Sequence, residues 1–216
     1  MMFRTRVLTA IALAAGLAGC AREGELVVDQ GVGITAVLSS CPAVGIPNYT
    51  GDVTTFRGAG DQSFANLDIT ASMTNLRSTC NDSTDKVYTE ATFDVHARRA
   101  DVRGSRSVTL PYFVTVLQGG SAVVTKRVGE VTLNFADGQE RATASGKAGS
   151  FVDRAAASLP EDIREQITRR RRAGDPEAAL DPLAAPEVRA AIARTRFEML
   201  IGFQLTEEQL AYNATR

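Results

Sequence analysis

The chain has 216 residues, enough for one domain or for one domain with a smaller appendage. Its 24 basic and 25 acidic side chains nearly cancel, which argues against nucleic acid as a main partner. Trp is absent and aromatic residues make up 6%, so a platform for stacking sugars is poorly supplied, and a single histidine, His96, restricts imidazole chemistry to one position.

Arg4 and Arg6 precede the apolar run Val7–Gly16, the charge and length pattern of a secretory signal and too short to cross a bilayer as a helix. The run closes on Leu17-Ala18-Gly19-Cys20. This stretch resembles the lipobox of bacterial lipoproteins, in which the Cys thiol is joined to a diacylglycerol, the preceding peptide is removed and the new amino terminus is acylated. The resemblance covers the first twenty residues only. It implies residues 1–19 as signal peptide, lipidation of Cys20, and a membrane contact made through the lipid, since two or three acyl chains at roughly 0.8 kcal/mol per buried methylene hold a protein on a bilayer. Ala21, where an Asp favours inner-membrane retention in that family, points to the outer membrane, facing the periplasm.

With Cys20 taken by lipid, Cys41 and Cys80 are an even pair in an exported chain and read as a disulfide worth roughly 3–4 kcal/mol. Two buried free thiols are the alternative; a metal or redox site would want closer spacing and more ligands.

After a polar tether at 20–25, the β-branched residues of Leu26–Leu38 suggest one or two short strands. The Gly- and Pro-rich stretch 39–63 reads as a long loop. Period-two alternation then begins: Leu67, Ile69, Ala71 and Met73 against polar neighbours, a turn at 81–85, and Val87, Thr89, Ala91, Phe93, Val95 and Ala97 on one face of a second strand. A charged connection, Arg98–Arg106, leads to a strand over Ser107–Leu117 and a Gly119-Gly120-Ser121 turn. Val123–Val128, Val131–Phe135 and Arg141–Ala148 continue the run of strands, with a turn at 136–139. Strands at this spacing without intervening helices look like an antiparallel β-sandwich of the immunoglobulin or fibronectin class over 26–150, although no family motif accompanies the pattern.

Beyond 150 the pattern turns helical. Ser158-Leu159-Pro160-Glu161 has the form of a capping box, followed by Leu159, Ile163 and Ile167 at four-residue spacing. A second helix opens at Pro186. A strongly apolar strand follows at about 195–205, and Thr206-Glu207-Glu208-Gln209 is another capping box. The segment 151–216 is therefore expected to be a helical and strand extension packed on the same domain.

Candidates for chemistry are few. Asp94 could orient His96, yet no G-x-S-x-G surrounds any serine, and His96 reads as a surface strand residue. No H-x-x-x-H, H-E-x-x-H or C-x-x-C is present, the Asp82/Asp85 turn lacks a calcium-loop pattern, and no cofactor is implied. Arg169, Arg170, Arg171 and Arg172 form the most conspicuous charge run: either a basic patch for an anionic surface or ligand, or a solvated helix end. The expectation is a non-enzymatic envelope protein that binds or supports another envelope component, with an anchored hydrolase of envelope substrates or an anionic-ligand module using 169–172 as alternatives.

Overall fold

The alternation that starts at Leu67 becomes the long hairpin at the centre of the molecule. In the computed structural model, which describes residues 39–58, 60–169, 174 and 180–215, β3 (Leu67–Asn81) pairs antiparallel with β4 (Lys86–Arg99) around the expected polar turn. The β body is the compact unit that spans 35–167 and 181–216. Inward on β4 lie Val87, Thr89, Ala91, Phe93, Val95 and Ala97, all buried, because successive residues of a strand point to opposite faces.

The fold is mainly β, built from two four-stranded sheets. One runs β2 (Asp52–Phe56), β3, β4, β7 (Arg141–Asp153); the other runs β1 (Ala43–Gly45), β8 (Phe197–Phe203), β5 (Arg106–Gln118), β6 (Ala122–Phe135). The hairpin β5–β6 lies in one sheet while its flanking strands β4 and β7 pair in the other, so four consecutive strands form a nested double hairpin. Inward residues of both sheets share one apolar cluster; within it Phe93 of β4 meets Tyr112 of β5 edge to face at 5.0 Å between centroids. Tyr112 also donates its hydroxyl to the Lys147 carbonyl of β7 at 2.9 Å.

Several expectations need correction. The stretch 39–63 is not all loop: Asp52–Phe56 forms β2 and Ala43–Gly45 forms β1, two short strands masked in the sequence by the Gly and Pro residues around them. Pairing is not wholly antiparallel, since β1 runs parallel to β8. Val123–Val128 and Val131–Phe135 are one strand running through Gly129, where a Cβ would stand 2.7 Å from the Tyr112 hydroxyl, so the glycine makes room for that ring. The strand expected over Arg141–Ala148 continues to Asp153.

The apolar run near 195–205 is β8, inside its sheet between β1 and β5, which leaves none of its residues exposed and only Glu198 and Leu200 half-buried. Three α-helices, α1 (Glu161–Thr168), α2 (Pro186–Thr195) and α3 (Glu207–Thr215), and two 3-10 turns, Phe64–Asn66 and Pro182–Ala184, complete the elements of the described residues. The second capping box forms as expected: Gln209 N donates to Thr206 Oγ1 at 3.2 Å, and Thr206 N donates to Gln209 Oε1 at 2.9 Å. The first does not, because Ser158 donates its hydroxyl back to the Arg154 carbonyl and α1 starts only at Glu161. Helix α3 lies against β2, with Tyr212 edge-on to Phe56 at 5.3 Å. The Asn213 amide donates to the carbonyls of Tyr49 and Asp52, both at 2.8 Å, and so ties α3 to the start of β2.

Candidate functional site

Cys41 and Cys80 are joined, as the even count of remaining cysteines implied. Cys41 stands just before β1 and Cys80 near the end of β3, so the bond ties the two sheets together at the end where residue 39 enters the described body. Ser40 adds a hydrogen bond from its hydroxyl to Asp82 in the β3–β4 turn, at 3.1 Å. Cys20, the suggested strands of Leu26–Leu38, and Arg170, Arg171 and Arg172 lie outside the described residues. Arg169, the one described member of the Arg run, is exposed just past the end of α1.

The outward face of the β2-β3-β4-β7 sheet collects the polar side chains that alternation places there. Asp52, Ser72, His96 and Thr143 stand in register across its four strands, and Thr74, Asp94 and Ser145 form the next row. Ser72 donates to Asp52 Oδ1 at 2.6 Å, and His96 Nδ1 lies 3.2 Å from Thr143 Oγ1. Asp94 accepts from Asn75 Nδ2 at 2.7 Å and Ser145 Oγ at 2.8 Å, bonds that hold its carboxyl below the usual carboxylate range, the Asn75 amide contributing most. Asn75 reaches it from a bulge in β3 at φ +52, a conformation that Asn tolerates better than most residues, and in turn accepts from Arg77 Nε at 3.0 Å.

A nucleophilic relay needs one imidazole bonded on one side to a carboxylate and on the other to a nucleophile. Here Ser72 gives its proton to Asp52, Asp94 is engaged by an amide and a hydroxyl, and His96 faces Thr143. Asp52, Ser72, Asp94, His96, Thr143 and Ser145 are each bonded to a neighbour on an adjacent strand. Asp82 and Asp85, the acids of the β3–β4 turn, face Ser40 and, at 3.5 Å, Arg154.

Two features escaped the sequence. Arg99 sits in the segment that reads as a charged connection, yet it is the last inward residue of β4 and only 1% exposed. Its guanidinium donates to four carbonyls: Gln139 at 2.8 Å, Gly104 at 2.8 Å, Val102 at 2.7 Å and Ala136 at 2.7 Å. It lies 5.3 Å from the centroid of the Phe135 ring. The β4–β5 connection and the β6–β7 turn therefore close around one cation; extending the alternation of β4 by one step past Ala97 would have pointed to it. The other feature is β6, which among the described residues pairs with β5 alone and exposes Val123, Val124 and Val128. The clue in the sequence is that Val-Val-Thr-Lys-Arg-Val keeps no period of two.

No protein-family model matches the chain, and neither a curated protein nor a solved structure is significantly similar to it.

Proposed function

We propose that the protein is a lipid-anchored component of the bacterial cell envelope with a non-enzymatic binding, structural or assembly role, held through Cys20 and facing the periplasm from the outer membrane. The observation that carries this reading is Leu17-Ala18-Gly19-Cys20 placed directly after a basic and then an apolar segment. The Cys41–Cys80 disulfide supports it, because such bonds persist in oxidising compartments outside the cytosol and because it leaves Cys20 as the cysteine for the lipid. No helix among the described residues is long and apolar enough to cross a membrane, which fits attachment by acyl chains. The two sheets form, in this reading, a sandwich of the general immunoglobulin or fibronectin kind; the core they share supports that assignment.

Mass spectrometry of the mature amino terminus is the test. The wild type should begin at Cys20 carrying diacylglyceryl and acyl groups, and Cys20→Ser should release the protein from the membrane fraction. A mature chain with an unmodified Cys20 thiol would refute the anchor.

A further inference from the structure

Among the described residues β6 pairs with β5 alone, and it forms the outer edge of its sheet. Such an edge presents a row of unpaired N–H and C=O groups, which folded proteins ordinarily blunt with charge, bulges or cover. This one carries charges and a bulge but also exposes valines, with Val123 at 64% and Val128 at 59% exposure. The outward-facing residues of β6 follow from the register: Lys126, Val128 and Glu130 stand opposite Thr115, Phe113 and Pro111 of β5, on the face away from the core. Lys126 Nζ lies over the Phe113 ring at 5.7 Å, beside Val128.

We propose that β6 is a self-pairing edge, through which a second copy of this chain adds antiparallel across a two-fold axis centred on Val128. A two-fold interface requires that each residue meet its complement in the other copy. Centring on Val128 sets Val128 against Val128 and each Lys126 against the Glu130 of the other copy. Side-chain pairs directly opposite one another interact strongly in a sheet, and like charges there repel. Centring on Lys126 or Glu130 would put like charges face to face; centring on Arg127 or Gly129 would set valine against a charge. Charge complementarity thus selects one register. On the inner face the same register places Arg127 opposite Gly129, over which the Tyr112 ring lies, so Arg127 meets no like charge there. The ladder stops at Val124, the extra residue of a bulge between the β5 partners Val116 and Leu117, so each copy contributes Thr125–Val131. Lys126 alone would read as an edge-protecting charge. Glu130, two positions beyond Val128 on the same face, supplies the partner that turns protection into specificity.

The test uses the full chain with Cys20→Ser to remove the other reactive thiol. Adding Val128→Cys should give a disulfide-linked dimer under mild oxidation, whereas Lys126→Cys, whose symmetry mate lies four residues along the ladder, should not. By sedimentation velocity, Lys126→Glu or Glu130→Lys should each weaken dimerisation about tenfold, since two symmetric pairs turn from attraction to repulsion, and the double exchange should restore it to within about twofold. A chain that stays monomeric in every variant, a cross-link at Val128 to a protein of another size, or single reversals that the double exchange fails to rescue would each overturn the proposal.

Discussion

The two ends of the β body are closed by different chemistry. At one end Cys41 and Cys80 join the sheets covalently beside the β3–β4 turn. At the other, Arg99 gathers the β4–β5 connection and the β6–β7 turn by donating to four carbonyls, backed by Gly138 N to Val102 O at 2.8 Å and Gly104 N to Asp137 Oδ1 at 2.6 Å. A covalent tie acts mainly by narrowing the unfolded ensemble and tolerates change around it. A buried cation has no such latitude: it must be fully bonded, because an ion in the interior costs several kcal/mol if left unmatched. The Arg99 end therefore depends on geometry and the Cys41 end on redox state.

That contrast can be broken most sharply at Arg99. Arg99→Met should cost about 3–5 kcal/mol in denaturant melts, because it strands four carbonyls, and Arg99→Lys should recover little, since an ammonium cannot make the planar fork. Hydrogen exchange should quicken at 100–105 and 136–140 while the disulfide stays intact. Replacing Cys41 and Cys80 together by Ala should cost about 3–4 kcal/mol, with faster exchange at 39–45 and little change around Arg99. A uniform loss across both ends in either variant would dissolve the distinction.

Asn213→Ala removes two donors that pin α3 to the carbonyls of Tyr49 and Asp52, and should cost about 1–3 kcal/mol, read as early loss of protection in α3. At the Arg99 end, Asp68 accepts a two-pronged bond from Arg106 at 2.6 and 2.8 Å, which lowers its carboxyl below 3.8. Depression of a folded-state carboxylate contributes stability that is present above the unfolded value and lost as pH falls through the folded one. Asp68→Asn should therefore cost about 1 kcal/mol near neutrality, and its melting curve should converge on the wild type as pH drops below 3.8. The smallest effect has the opposite sign. Thr89, opposite Cys80 on β4, buries a hydroxyl that has no partner among the described residues, so Thr89→Val should stabilise the stapled end by about 0.5–1 kcal/mol in thermal melts.

Legibility followed pattern strength. β3 and β4 could be read residue by residue because Leu67–Met73 and Val87–Ala97 alternate without interruption against one wet face. β8 was readable because its apolar run could not remain exposed. β1 and β2 were hidden by the glycines and prolines beside them, and Ser158 by a competing carbonyl, that of Arg154, which a capping motif does not reveal. The candidate site divides in the same way. The Cys41–Cys80 pairing followed from the even pair left once the lipobox resemblance sets Cys20 aside. The bonding of Asp52, Ser72, His96 and Asp94 did not, since alternation assigns a face while partners across strands depend on register.

Neighbouring residues and simple counting were enough to set the strand-rich body, the hairpin around 81–85, the apolar strand near 200, the capping box at Thr206 and the cysteine pair. Packing in three dimensions was needed to place β8 between β1 and β5, to turn Arg99 inward so that it closes one end, and to leave β6 as an edge. Those outcomes depend on contacts between segments far apart in the chain, where burial and the need to satisfy backbone carbonyls outweigh local composition.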